Sequence, residues 1–332
     1  MESELERQIL ERLRAIEDRL GELEDNQRQL QQAYSSSRMI LRRFFLRPPM
    51  WTFEQHSPRQ LDLQSQQPET ALPRNVPCIG IVTPSYNQGR FLKATIDSVV
   101  AQSYPKLFYH VQDGGSVDGS VPILESYGDR ISWRSQADKG QADAINLGFE
   151  HVDCDIMAYL NSDDVLLPGA LSYVADYFDR NPDVDIVYGH RVFIDGDGAE
   201  IGRAVLPSHD AKALLYAGYI PQETMFWRRR VWNAIGGFDT SLHYALDWEF
   251  MLRAQGAGFK FARARRFIAC FRVHDQQKTT SNYDVGRKEM RALRLKYLGY
   301  APSQSEITRS ISGYLARQMI FHWSYRLGLL KQ

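Results

Sequence analysis

The chain has 332 residues, 43% of them hydrophobic, enough to bury one large core with appendages. Its 40 Lys and Arg balance 40 Asp and Glu, so no bulk charge points to nucleic acid or to a strongly acidic partner. Three scattered cysteines (Cys78, Cys154 and Cys270), with no C-x-x-C pair, predict reduced thiols and no disulfide framework.

The first residues, Met1-Glu2-Ser3-Glu4, include no apolar stretch of a signal peptide, and no apolar run reaches the ~18 residues of a membrane span. A soluble, cytoplasmic protein is the expectation. Residues 1–36 read as a separate helix. Ile9, Leu13, Ile16, Leu20, Leu23, Gln27, Leu30 and Tyr34 alternate in steps of four and three, a heptad seam. So narrow a stripe suits a parallel coiled coil making a homo-oligomer through residues 4–34; docking along the body of the same chain is the alternative. Residues 37–77 change character twice. Between Met39 and Phe53, aromatic and aliphatic residues interleave with Arg38, Arg42, Arg43 and Arg47, a pattern for peripheral contact with an anionic membrane or for a collar on the body. From 54 to 77 the chain is rich in Gln and Pro, as an extended linker is.

The main domain spans 78–280. Strands are expected at Cys78–Val82, Leu107–Val111, Ile131–Trp133, Ile156–Leu160, Ile186–Tyr188, Thr224–Trp227 and Ile268–Val273. Helices are expected at 91–100, Gly140–Phe149, Ala170–Phe178 and around Asp247, and a hairpin at Arg191–Ala204 turning on Asp195-Gly196-Asp197-Gly198. Alternating strands and helices predict an α/β fold with a mixed, mostly parallel sheet. Residues 281–332 read as a basic, aromatic helical extension.

The chemistry centres on Leu160-Asn161-Ser162-Asp163-Asp164. A buried strand ends at two adjacent carboxylates, at the sheet end where open α/β sheets hold ligands. Two neighbouring acids repel unless a cation or a ribose hydroxyl lies between them, and Mg²⁺ or Mn²⁺ favours carboxylates with phosphate oxygens. The alternative is a solvated turn that caps the next helix. Neither G-x-G-x-x-G nor G-x-x-x-x-G-K-S/T occurs.

In order, the chain carries TPSYNQGRFL (83–92), QDGGSVDGS (112–120), DKGQADAIN (138–146), LNSDD (160–164), GGFD (236–239), LDWEFMLR (246–253) and FRVHDQQKT (271–279). This ordered set resembles family 2 glycosyltransferases, inverting enzymes of the GT-A fold, over roughly Cys78 to Thr280. The resemblance implies a nucleotide-sugar donor (UDP-, GDP- or dTDP-linked) held by Thr83, Pro84, Tyr86, Asp113, Lys139, Asp143 and Asp163. Tyr86 would lie against the base. Asp113 would accept from the base, or cap its own turn, or both. Asp164 would ligate Mn²⁺ or Mg²⁺, with His274 supporting the metal or diphosphate unless it is structural, and Lys278 would neutralise the leaving diphosphate. Asp247 matches the catalytic base, although Leu246 stands where the family often has Glu. Glu249 is a second candidate, on another helix face. Gln222, Glu223 and Glu249 are placed on the side of a saccharide or lipid-linked saccharide acceptor. The implied setting is bacterial surface polysaccharide or glycoconjugate assembly. Rival readings are a sugar nucleotidyltransferase, a hydrolase using two carboxylates, and a non-catalytic coiled-coil scaffold with an inactive transferase domain.

Overall fold

The computed structural model describes residues 52–61, 70–275, 277 and 283–330. The heptad seam, most of the basic aromatic segment and Lys278 lie outside the described residues.

One nine-stranded sheet organises the fold, in the order β3-β2-β1-β4-β8-β6-β9-β5, with β7 paired to β6. The strands are β1 (Ile79–Ser85), β2 (Leu107–Asp113), β3 (Ser132–Ser135), β4 (Ile156–Tyr159), β5 (Val165–Leu166), β6 (Ile186–Ile194), β7 (Glu200–Ala204), β8 (Phe226–Arg228) and β9 (Phe261–Arg272). The first half alternates with α1 (Gly89–Val100), α2 (Ser120–Glu125), α3 (Gln141–Phe149) and α4 (Ala170–Arg180). The second half carries α5 (Ala211–Tyr216), α6 (Arg229–Ile235), α7 (Leu246–Gly256), α8 (Tyr283–Leu298) and α9 (Gln304–Arg326).

The expected α/β sheet is present, but its parallel share is smaller than expected. The pairs β1–β2, β1–β4, β2–β3 and β6–β9 run parallel, while β4–β8, β6–β8, β6–β7 and β5–β9 run antiparallel. β1 and β4 are buried on both faces, which explains their continuous apolar runs. One face is covered by Leu92, Ile96, Leu171 and Phe178. The other holds Phe149, Trp227, Phe238 and Phe250 together with Leu293, Ile307, Ile311 and Tyr314 from the two last helices, which are thus built into the main core. Those helices are separated at Gly299, whose φ of 79° stops α8, and α9 restarts with a capping box of Ser303 and Glu306.

Two expectations are corrected. Residues 54–61, read as part of an extended linker, lie along β7: Gln55 N–H donates to the Ile201 carbonyl, and Arg59 and Glu200 exchange backbone hydrogen bonds. Gly202 permits this, because a Cβ there would stand 2.7 Å from the Phe53 carbonyl oxygen. Cys78 and Cys154, read as separate thiols, are joined as a disulfide, since the start of β1 and the approach to β4 are neighbours in the sheet; Cys270 is buried and free. No helix of the described residues is long and apolar enough to cross a membrane.

Candidate active site

The carboxyl ends of β1, β2 and β4 build one half of the site. β1 runs three residues further than expected, to Ser85, so Thr83 and Pro84 belong to the strand and are buried; the Thr83 hydroxyl pairs with that of Tyr109. Both stand directly before the loop that follows the strand, with Thr83 tied to β2 through that hydrogen bond. Tyr86, immediately after, is 64% exposed, with its ring edge close to Gly114. A Cβ on Gly114 would stand 2.9 Å from the Asp138 carboxylate and 3.2 Å from Tyr86, so the three loops after β1, β2 and β3 converge there. Asp113 is fully buried and accepts from Gly115 N–H, both donors of Ser116 and the Ser135 hydroxyl. Of its two expected roles it has the turn-forming one in this structure. Asp143, in the first turn of α3, accepts from Lys139 N–H, and the Lys139 side chain points to the exposed surface.

The acids after β4 are held from several directions. Asp164 is almost completely buried; it accepts from Arg272 N–H at 3.0 Å and from Asn161 Nδ2 at 3.3 Å. Arg272 also donates through Nε to the Asp163 carbonyl. Burial, then the Asp163 and Glu223 charges, push the Asp164 carboxyl well above the usual range. His274 Nε2 lies 3.0 Å from Asp163, so this imidazole supports Asp163 rather than Asp164, and it packs on Phe91. Among the described residues, no three His, Cys, Asp or Glu side chains form a ready-made metal cage.

The other half comes from the antiparallel strands. Gln222 donates to the Tyr159 carbonyl and accepts from Asn161, which in turn accepts from Gln141. Glu223 is buried beside Arg191 at 3.4 Å, and burial outweighs that cation to raise its pKa. Asp247 lies in the first turn of α7; burial pushes it up to about 6, with the Glu223 charge adding to the rise. Buried Tyr159 is raised by burial and then by the charges of Asp247, Asp164 and Glu223, so all three carboxylates lie within electrostatic reach of one ring. Glu249, the other base candidate, is not among them. Arg253, Lys296 and Tyr297 all contact its carboxylate, tying α7 to α8, which corrects its acceptor-side placement.

Sequence reasoning missed Gln141, Asn161, Arg191, Arg272 and Glu289. Glu289, on α8, accepts from the N–H groups of His243, Tyr244 and Ala245, just ahead of α7. Ala245, at the helix N-cap, supplies no side-chain acceptor, so a distant carboxylate caps the helix that carries Asp247. Glu289→Ala should destabilise the fold by about 0.5–2 kcal/mol, the range for loss of a capping acceptor. Thermal unfolding checks this, and Glu289→Gln, which keeps an acceptor, should fall between the variant and wild type.

Residues 80–243 match the family described as Glycosyl transferase family 2. The chain is thus similar to glycosyltransferase family 2 domains over 164 of its 332 residues. It is 27% identical over 223 residues to a chondroitin synthase of Escherichia coli, covering 66% of this chain and 32% of that protein. It is 28% identical over 182 residues to a PGL/p-HBAD biosynthesis glycosyltransferase of Mycobacterium tuberculosis, covering 53% and 69%. The chain spans about a third of the synthase and about two thirds of the mycobacterial enzyme. Similar solved folds include S. aureus TarS 1-349 in complex with UDP-GlcNAc (TM-score 0.56, 17% identity, 74% and 73% covered). Another is a mannosyltransferase from Pyrobaculum calidifontis in complex with GDP-Man and Mn²⁺ (TM-score 0.53, 16% identity, 85% and 75% covered).

Proposed function

We propose that this protein is a metal-dependent, inverting glycosyltransferase that moves a sugar from a nucleoside-diphosphate sugar to an acceptor hydroxyl. The observation that carries this reading is that the fold brings acids from both halves of the sheet to one place: Asn161 donates to Asp164 and to Gln222, the neighbour of Glu223, and Asp164, Glu223 and Asp247 all act electrostatically on Tyr159. Solved relatives of this fold hold UDP-GlcNAc, or GDP-Man with Mn²⁺, which supports a nucleotide-sugar donor. The names of the relatives, a chondroitin synthase and a PGL/p-HBAD biosynthesis glycosyltransferase, fit a saccharide or lipid-linked saccharide acceptor, and the same reading puts the enzyme in the cytoplasm, at the inner face of a membrane.

The residues fit a divalent cation. Asp164 is a buried carboxylate with two acids against it and only neutral donors on its own oxygens, a surplus of negative charge. Mg²⁺ and Mn²⁺ are commonly held by one or two carboxylates, with phosphate oxygens and water completing the shell, so no larger cage is needed. A cation bound at Asp164 would offset charge on the departing diphosphate. Tyr86 would take the base on its exposed ring. Asp163, steadied by His274, would accept from donor hydroxyls, while Gln222 and Glu223 border the acceptor. Asp247 would take the proton from the acceptor oxygen as that oxygen bonds to the anomeric carbon. The carbon's bond to the phosphate oxygen breaks, and the electron pair leaves with the nucleoside diphosphate. One displacement inverts the anomeric centre.

Thermal shifts with UDP, GDP, dTDP and CMP, each with and without Mn²⁺, test the donor assignment; no shift with any nucleotide would overturn it. The pH profile is a second test. Only ionised Asp247 can accept a proton, so kcat/KM should climb as pH rises through about 6 and level off above it. A profile already flat at pH 5 would remove Asp247 from the role.

A further inference from the structure

A second polar cavity, of about 640 Å³, lies where the 52–61 segment, β7 and the end of α9 meet. It is separate from the acids described above. Arg203 pairs with Val192 across β6 and β7, and side chains alternate along a strand, so Arg203 and the site residue Arg191 point to opposite sheet faces.

Its lining is cationic: three guanidiniums (Arg59, Arg203, Arg326) stand against one carboxylate, Glu200, beside two imidazoles, His56 and His322, the second held neutral by burial and by Arg326. Glu200 is fully buried and already contacts Arg203 at 2.7 Å, Arg59 at 2.5 Å and His56 at 3.4 Å. One carboxylate cannot balance this set, and Arg326 adds its charge at the exposed rim. His322 is 4% exposed, and its buried Nδ1 has no hydrogen-bond partner among the described residues. An unpaired buried nitrogen of this kind calls for a partner that the described residues do not supply. Just past α9, Gly328 and Leu330 line the cavity, and Leu327 and Leu329, which alternate with them in the chain, are 70% and 74% exposed.

We propose that this cavity binds a phosphate-bearing ligand at a site of its own. Guanidiniums pair with phosphate oxygens through parallel N–H donors, and Arg59 and Arg326 are the two that reach the opening. The phosphate comes either from a soluble phosphoester or from an anionic lipid headgroup whose chains leave over Leu327 and Leu329.

The test uses the full chain labelled with ¹⁵N-histidine, in EDTA so that a metal-dependent donor site is silent. Inorganic diphosphate is titrated while the ring signals of His56 and His322 are followed. In parallel, the protein is sedimented with phosphatidylcholine vesicles with and without phosphatidylglycerol. Movement of the ring signals with diphosphate alone assigns a soluble ligand; retention on the anionic vesicles assigns a headgroup. In either case Arg59→Glu/Arg326→Glu should weaken binding by at least about tenfold. Arg326→Glu alone, which leaves the Glu200 cluster intact, should weaken it in the same direction. Asp164→Asn should leave it unchanged. No response to either probe, or a response that charge reversal does not alter, overturns the proposal.

Discussion

Asp247→Asn should bind a nucleotide-sugar donor nearly as well as the wild type and transfer sugar at least ~100-fold more slowly, the lower end for loss of a general base. The amide keeps the size and polarity of the side chain but cannot take a proton. The donor contacts proposed above, Tyr86, Asp163 and the cation at Asp164, lie on the loops after β1 and β4, so donor affinity has no reason to fall. Stability should change in the opposite direction. A carboxyl raised to about 6 by burial binds its proton more tightly in the folded state than in the unfolded one, so its favourable contribution is present at low pH and is lost as pH rises from about 4 through 6. The neutral amide escapes this loss. Asp247→Asn should therefore melt higher than wild type at pH 7.5, by an amount of the order of 1–3 kcal/mol, and match it near pH 4. Turnover, donor affinity and melting at the two pH values measure all three effects. A variant that still transfers, while Glu249→Gln does not, would put the base elsewhere.

The second large effect is expected at Asp164. Replacing it with Asn should abolish the Mn²⁺-dependent part of the nucleotide thermal shift and lower turnover by ~10²–10³-fold, the range for removing one electrostatic stabiliser of a developing charge. EDTA should do the same to the wild type and nothing further to the variant. Metal affinity should also weaken as the solution is acidified, because the cation must displace a proton from a carboxyl that burial and two neighbouring acids hold well above its ordinary range. Full activity in EDTA would remove the metal from the mechanism. Comparing the two variants separates the steps: Asp164→Asn should lose donor binding along with transfer, Asp247→Asn transfer alone.

What the sequence revealed depended on how local each signal is. β4 is a four-residue apolar run that ends at two acids, and both the strand and the acids could be read from a short window. β9 was seen only from 268 onward, because Arg263, Arg265 and Arg266 break its apolar pattern, although parallel pairing with β6 starts at Phe261. β5 has two residues and no pattern at all. The supporting side chains were invisible for another reason. Arg272 meets Asp164 across 108 residues, Glu289 meets Tyr244 across 45, and Arg191 meets Glu223 across 32. No spacing rule links such pairs; only the folded sheet does. Thr83 and Pro84 show the converse limit: the motif marked their positions, but that they end a strand, with Thr83 bonded to Tyr109, is visible only in the fold.

β9 is the last strand in the chain, yet it inserts between β6 and β5 and supplies the Arg272 N–H that fixes Asp164. During synthesis the acids of residues 163 and 164 leave the ribosome long before that donor exists. At roughly 5–20 residues per second, the interval is on the order of 5–20 s. Over that time the early parallel strands can collapse on their own helices, but the acid pair has no arginine beneath it. Asp247, too, waits for Glu289, which is translated later still. The site is thus completed in its final steps, and a nascent chain stalled before residue 272 carries every early motif without the means to hold its carboxylates in place.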